Sequence, residues 1–216
     1  MDNVWTEKYR PKKFEEIVGQ DEIITAIQNK IGNLPHMIFE GKAGTGKTTT
    51  SQVISQTLNT DFLELNSSEE RGIDIVRGKI MSFAKHLSFK PAPYKILFLD
   101  EADSMTSEAQ LALRPLMEKH AHNCRFIIGC NFIDKIISPI KSRCKMYRFK
   151  PIDTNSIIKR LRYVANKEKV FISMSEQDIN DALEELAERS RGDLRKAIND
   201  LQMGDYNRTE IEQIFL

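Results

Sequence analysis

Eight residues constrain this chain more than any others: Gly41-Lys42-Ala43-Gly44-Thr45-Gly46-Lys47-Thr48. They follow the apolar run Met37-Ile38-Phe39-Glu40 and precede a stretch of helical periodicity from Thr48 to Leu58. A glycine-rich turn between a short apolar strand and a helix implies the strand–loop–helix unit of a parallel α/β sheet. Glycines let the backbone wrap tightly with its N–H groups pointing inward, and the helix start adds the positive end of its dipole. Such a cradle suits phosphate. Lys47 is placed to reach β- and γ-phosphates, and the Thr48 hydroxyl to hold Mg²⁺.

The rest of the first half keeps the same alternation. Phe62 to Asn66, Lys95 to Leu99, Arg125 to Cys130 and Lys145 to Phe149 read as strands. Ile73 to His86 reads as a helix with Ile73, Val76, Ile80, Phe83 and Ala84 on one face, and Glu108 to Lys119 as a helix containing Pro115. Strands separated by helices imply a parallel sheet with helices on both faces. After Pro151 only helical periodicity remains, over 155–168, 175–190 and 193–201. The expectation is an α/β core over residues 1–151 and a small helical lid over 152–216. Ser175, ahead of acidic first-turn residues, is the expected cap of one lid helix.

A second chemical element follows from Ile96-Leu97-Phe98-Leu99-Asp100-Glu101. An apolar strand delivers two carboxylates at its C-terminal end, where open α/β sheets place their ligands. Asp100 is expected to bind Mg²⁺ with Thr48, and Glu101 to orient or deprotonate an attacking water. Asp100-Glu101-Ala102-Asp103 also occurs in helicases with two tandem motor domains, which 216 residues with one glycine loop do not supply.

Charge narrows the partners. Lys plus Arg number 32 and Asp plus Glu 31, so any contact with nucleic acid must be a local patch. The segment from Glu69 to Lys90 supplies one candidate, with Arg71, Arg77, Lys79, Lys85 and Lys90 against three acids. No apolar run approaches the roughly 18 residues a membrane span needs. Three cysteines without C-x-x-C spacing and an opening without a signal-peptide pattern suggest an intracellular setting, cytoplasm or nucleoid, or the nucleus of a eukaryote.

Several further segments resemble one family. Trp5-Thr6-Glu7-Lys8-Tyr9-Arg10-Pro11, Ile17-Val18-Gly19-Gln20, Leu65 to Asp74, Lys135 to Cys144 and Gly192 to Leu201 are similar to the boxes of AAA+ sliding-clamp loader small subunits of the replication factor C type, in the family's order. The resemblance implies an ATPase that uses ATP and Mg²⁺. Its pocket is Thr6, Tyr9, Arg10 and Val18 around the base, then Gly41, Lys42, Ala43, Gly44, Thr45, Gly46, Lys47, Thr48 and Thr49. Asn131 corresponds to sensor 1 and Arg195 to sensor 2. Asn66 is placed to restrain Glu101, and Arg143 of Ser142-Arg143-Cys144 to act in trans on a neighbour's ATP. The implied catalytic set is Glu101, Lys47, Asn131 and Arg143. The implied partners are other subunits of a hetero- or homo-oligomeric ring, a sliding clamp and primer–template DNA, with no membrane.

The chain departs from the family pattern in three places. Lys42 replaces a common proline. Pro115 stands where a second arginine is frequent, and implies a kinked or restarted helix. Family subunits also continue into a helical collar, whereas this chain stops at Leu216, so it is either a fragment or assembles differently. Two other readings stand beside the first: another AAA+ remodelling or branch-migration ATPase, and a nucleotide-binding scaffold that does not hydrolyse. Hydrolysis stimulated jointly by clamp and primed DNA separates the three.

Overall fold

A computed structural model describes residues 4–69, 72–88, 90–172 and 174–206. Five strands form one parallel sheet: β1 (His36–Glu40), β2 (Phe62–Asn66), β3 (Lys95–Asp100), β4 (Cys124–Cys130) and β5 (Cys144–Arg148). Their order is β2-β3-β4-β1-β5, with Ile38 beside Ile128 on one side and Met146 on the other. The three inner strands are buried nearly throughout, while the edge strands β2 and β5 are only partly covered.

Alternation along the inner strands builds two cores, one per face. Ile38, Leu97, Leu99, Phe126 and Ile128 face one side. They pack against α4, which comprises α-helical Ile73–Ile75 and Met81–Lys85 flanking a π-helical turn Val76–Ile80, and against α5 (Ser107–Lys119) and α6 (Ser138–Lys141). Met37, Phe39, Ile96, Phe98 and Ile127 face the other side, against α2 (Asp21–Gln28) and α3 (Lys47–Thr57).

Three helices follow: α7 (Thr154–Glu168), α8 (Glu176–Ser190) and α9 (Leu194–Met203). Each starts on a side chain that satisfies an otherwise orphan N–H. Asp153 accepts from Ser156 N, Ser175 from Asp178 N and Asp193 from Lys196 N. Leu161, Val164, Leu183, Leu186, Ile198 and Leu201 form their core, and Trp5, Tyr9 and Val18 pack against it. The N-terminal helix α1 (Trp5–Lys8) thus leans on the helical unit at the other end of the sequence.

Pro115 does not restart the helix: α5 runs unbroken through it. It lies on the exposed face, so the carbonyl of Leu111, itself on an exposed residue, can be solvated where a helix N–H is missing. No helix among the described residues is long and apolar enough to cross a membrane.

Candidate nucleotide site

The strand order decides where chemistry can occur. β3, β4 and β1 are adjacent, so their C-terminal ends deliver Asp100, Asn131 and the glycine loop side by side. Lys47, the first residue of α3, is 8% exposed. Its ammonium donates to Gly41 O at 2.5 Å, Lys42 O at 3.0 Å and Asn131 Oδ1 at 3.1 Å. All three of its donors are thereby used. Burial pulls the Lys47 pKa below the usual lysine range, while the Asp100 charge opposes that shift.

Thr48 Oγ1 donates to Asp100 Oδ2 at 2.7 Å, and Asp100 Oδ1 accepts from Glu101 N at 2.9 Å. Glu101 has φ of +51°. A non-glycine residue held in the left-handed region stores strain of about 1–3 kcal/mol, which clusters at functional sites. Gly129 makes room behind this pair, since a Cβ there would lie 3.0 Å from the Phe98 ring and 3.1 Å from Asp100 Oδ1. The carboxylate of Asp103 accepts from the backbone N–H groups of Asn131 and Phe132 at 3.4 and 3.3 Å.

Thr6, Tyr9, Arg10, Val18, Ala43, Gly44, Thr45, Gly46, Lys47, Thr48, Thr49, Asp100, Glu101, Asn131 and Arg195 all line one cavity. Gly41 and Lys42 stand behind it, contributing the carbonyls that hold Lys47, and the Lys42 side chain is exposed. Arg143 lies outside the lining. Its Nε donates to Glu118 Oε1 at 2.7 Å, Nη2 to the same oxygen, and Nη1 to Pro139 O at 2.6 Å. Asn66 turns onto its own backbone, accepting from Ser68 N at 2.9 Å, as an asparagine at a strand end readily does. Arg71, counted in the basic segment, lies outside the described residues.

Sequence reasoning missed part of the wall. Glu7, Pro11, Ile17, Ile152, Arg160, Leu194 and Ile198 also line the cavity. Gln20 is buried and ties the loop to the end of the sheet, donating to Thr45 O at 3.3 Å and Lys150 O at 2.7 Å. At the loop itself, Leu194 N donates to Gly44 O at 3.3 Å. A Cβ on Gly44, whose φ is +70°, would lie 1.7 Å from Asp193 Oδ1. Gly44 is therefore what allows the start of α9 to sit on the loop.

Residues 37–152, just over half the chain, match the model of the ATPase family associated with various cellular activities (AAA). The chain belongs to the AAA family. Residues 159–203 match the RCF1/5-like AAA+ ATPase lid domain, which places α8, α9 and most of α7 in an AAA lid. The replication factor C small subunit of Methanoculleus marisnigri is 45% identical over 217 residues, covering 97% of this chain and 66% of that protein. Those of Archaeoglobus fulgidus and Picrophilus torridus are 47% and 48% identical, covering 92% and 94% of this chain and 63% and 64% of theirs. The AAA chain thus spans just under two thirds of the length of these relatives. Among solved structures, the Thermotoga maritima RuvB Holliday junction branch migration motor superposes with a TM-score of 0.77 at 19% identity. It covers 94% of this chain and 67% of its own, a likeness of fold alone. The AAA fold binds nucleotide, and the cavity at the strand ends gathers Lys47, Thr48, Asp100, Glu101 and Asn131.

Proposed function

We propose that this chain is an ATP-hydrolysing subunit of a replication clamp loader, which opens a sliding clamp and loads it onto primer–template DNA. One observation carries the reading: Lys47, Thr48, Asp100, Glu101 and Asn131 meet at one cavity while Arg143 is held on a separate surface. That division suits a site completed by a neighbouring subunit. The identity to replication factor C small subunits over nearly the whole chain supports the same reading. The RuvB likeness concerns fold and gives the branch-migration alternative no added weight.

In the proposed mechanism the loop N–H groups and Lys47 bind the β- and γ-phosphates, and Arg195 reaches them from the lid. Thr6, Tyr9, Arg10 and Val18 surround the base. Thr48 and Asp100 fit Mg²⁺: their oxygens lie 2.7 Å apart, a hard donor pair of the kind that holds this ion together with substrate phosphates. When bound, the ion neutralises charge developing on the phosphates. Glu101 takes the proton from the attacking water, and Asn131 positions that water near the γ-phosphate. Arg143 neutralises transition-state charge on the neighbour's ATP. The core of residues 1–151 and the lid of 152–216 then move relative to one another with nucleotide state.

The proposed DNA face is α4, where Arg77, Lys79 and Lys85 are exposed around the π-helical turn. Contacts there are to phosphate and salt-sensitive.

Steady-state ATPase of the assembled complex, with and without clamp and primed DNA, tests the reading. Joint stimulation by both is expected. Hydrolysis indifferent to the clamp would refute it. Arg143→Ala is expected to keep nucleotide binding and to lower hydrolysis in the assembly by about 10³-fold or more. Normal turnover in that variant would remove the role in trans.

A further inference from the structure

Arg160, on α7, is a buried cation with little to hold. The residue is 9% exposed, and its guanidinium has five N–H donors and no acceptor. Nη2 donates to the carbonyl of Tyr9, and the Tyr163 ring centre lies 5.2 Å away. Nε is sealed from solvent and has no hydrogen-bond partner among the described residues. Burial holds the guanidinium pKa below its ordinary range. Leaving such a group unpaired is costly, because its lost hydration is not replaced.

Arg160 lines the same cavity as Lys47 and Thr48. The bond to Tyr9 O fixes it beside the end of α1, where Tyr9 and Val18 both pack on the core of the lid. Phosphate is already served by Lys47, Arg195 and the loop N–H groups. We propose that Arg160 is a nucleoside-contact residue: the terminal N–H groups that Tyr9 O does not take donate to an acceptor atom on the base or ribose of the bound nucleotide. Because a guanidinium only donates, that atom is a ring nitrogen or an oxygen, not the exocyclic amine of adenine.

This inference rests on the nucleotide reading of the cavity. Its test is calorimetric titration of ATP and of inorganic tripolyphosphate, each with Mg²⁺, into the wild-type chain, Arg160→Gln and Arg160→Lys, with folding checked by thermal melting. Tripolyphosphate carries the charge without the nucleoside. ATP affinity is expected to fall about 10- to 100-fold in Arg160→Gln. It should also fall in Arg160→Lys, which keeps the charge and one donor for Tyr9 O. Tripolyphosphate affinity should stay the same in both.

Equal losses for both ligands would make Arg160 a phosphate contact and overturn the proposal. Unchanged ATP affinity in Arg160→Lys would reduce its role to tethering Tyr9, with the same result. If neither variant folds, 1-deaza, 3-deaza, 7-deaza and 2′-deoxy ATP titrated into wild type decide the matter. Weaker binding of one of them supports the contact, and uniform affinity overturns it. Wild-type chain that binds neither ATP nor tripolyphosphate overturns the nucleotide reading and this inference together.

Discussion

The two walls of the cavity are built in opposite ways. The wall of strand ends and glycine loop is polar and internally paired: Lys47 spends three donors, and Thr48 and Asp100 hold each other. The wall made by α1 and the lid sets apolar Pro11, Ile17, Val18, Ile152 and Ile198 among Thr6, Tyr9, Arg10 and Arg195, and its one buried cation, Arg160, is underused among the described residues. Much of the first wall is a single run of seven residues, Ala43 to Thr49, whereas the second draws on segments near residues 6–18, 152–160 and 194–198. A local, rigid wall suits charge, and a wall assembled from distant segments suits a part of the ligand whose grip must change.

Substitutions on each wall should separate the ligand into its parts. Lys47→Ala should cost the most, weakening ATP and tripolyphosphate alike by about 10²- to 10³-fold, because it removes charge-assisted bonds to phosphate. A loss confined to ATP would break the comparison.

His36 offers a control, lying at the opposite end of β1 from the loop. Its Nδ1 accepts from Phe126 N at 3.1 Å, so the proton sits on Nε2, 3.1 Å from Met117 O. Burial lowers its pKa from 6.5 to about 4. The unfolded chain therefore binds more protons between those values. Stability that is present above pH 6.5 should be lost as pH falls toward 4, by up to about 3 kcal/mol. Urea midpoints across that range should show the slope, and His36→Gln should flatten it without altering the ratio of ATP to tripolyphosphate affinity. An unchanged slope in the variant would rule out His36 as its source.

Gly44→Ala attacks the seam between the walls. It forces a side chain into the left-handed region and displaces the cap of α9, costing about 2 kcal/mol in stability. Asp193→Gly should restore part of the loss if the clash is with that carboxylate. The smallest effect belongs to Tyr9→Phe, which removes the bond from Tyr9 OH to Glu168 at 2.7 Å. ATP affinity should fall only about two- to threefold, because that bond is only partly buried and the ring stays in place.

The same contrast governs what could be read from the residues. The meeting of Lys47, Thr48 and Asp100 was legible because it follows from contiguous spacing and strand-end placement. Arg160 was not, since on a helical pattern it looks like any solvent-facing arginine until Tyr9 closes over it. Gln20 and Asp193 share that difficulty, as their partners lie far away in sequence. The π-helical turn in α4 escaped a 3.6-residue reading, although Val76, Ile80 and Ala84, all buried, repeat at the wider spacing of four. The restart expected at Pro115 did not occur, because the penalty for a missing N–H shrinks where the orphan carbonyl meets water.

The pairing of Arg143 with Glu118 has a consequence for assembly. Both side chains are partly in water, at 31% and 49% exposure, so the pair itself adds little to stability. If Arg143 is lent to an adjoining protomer, drawing it away gives up one half-wet ion pair with Glu118 and the bond to Pro139 O, a modest cost that contacts on the neighbour can offset. Ring closure is then nearly poised, and a small difference in what the neighbour holds is enough to decide whether the arginine is sheathed or engaged.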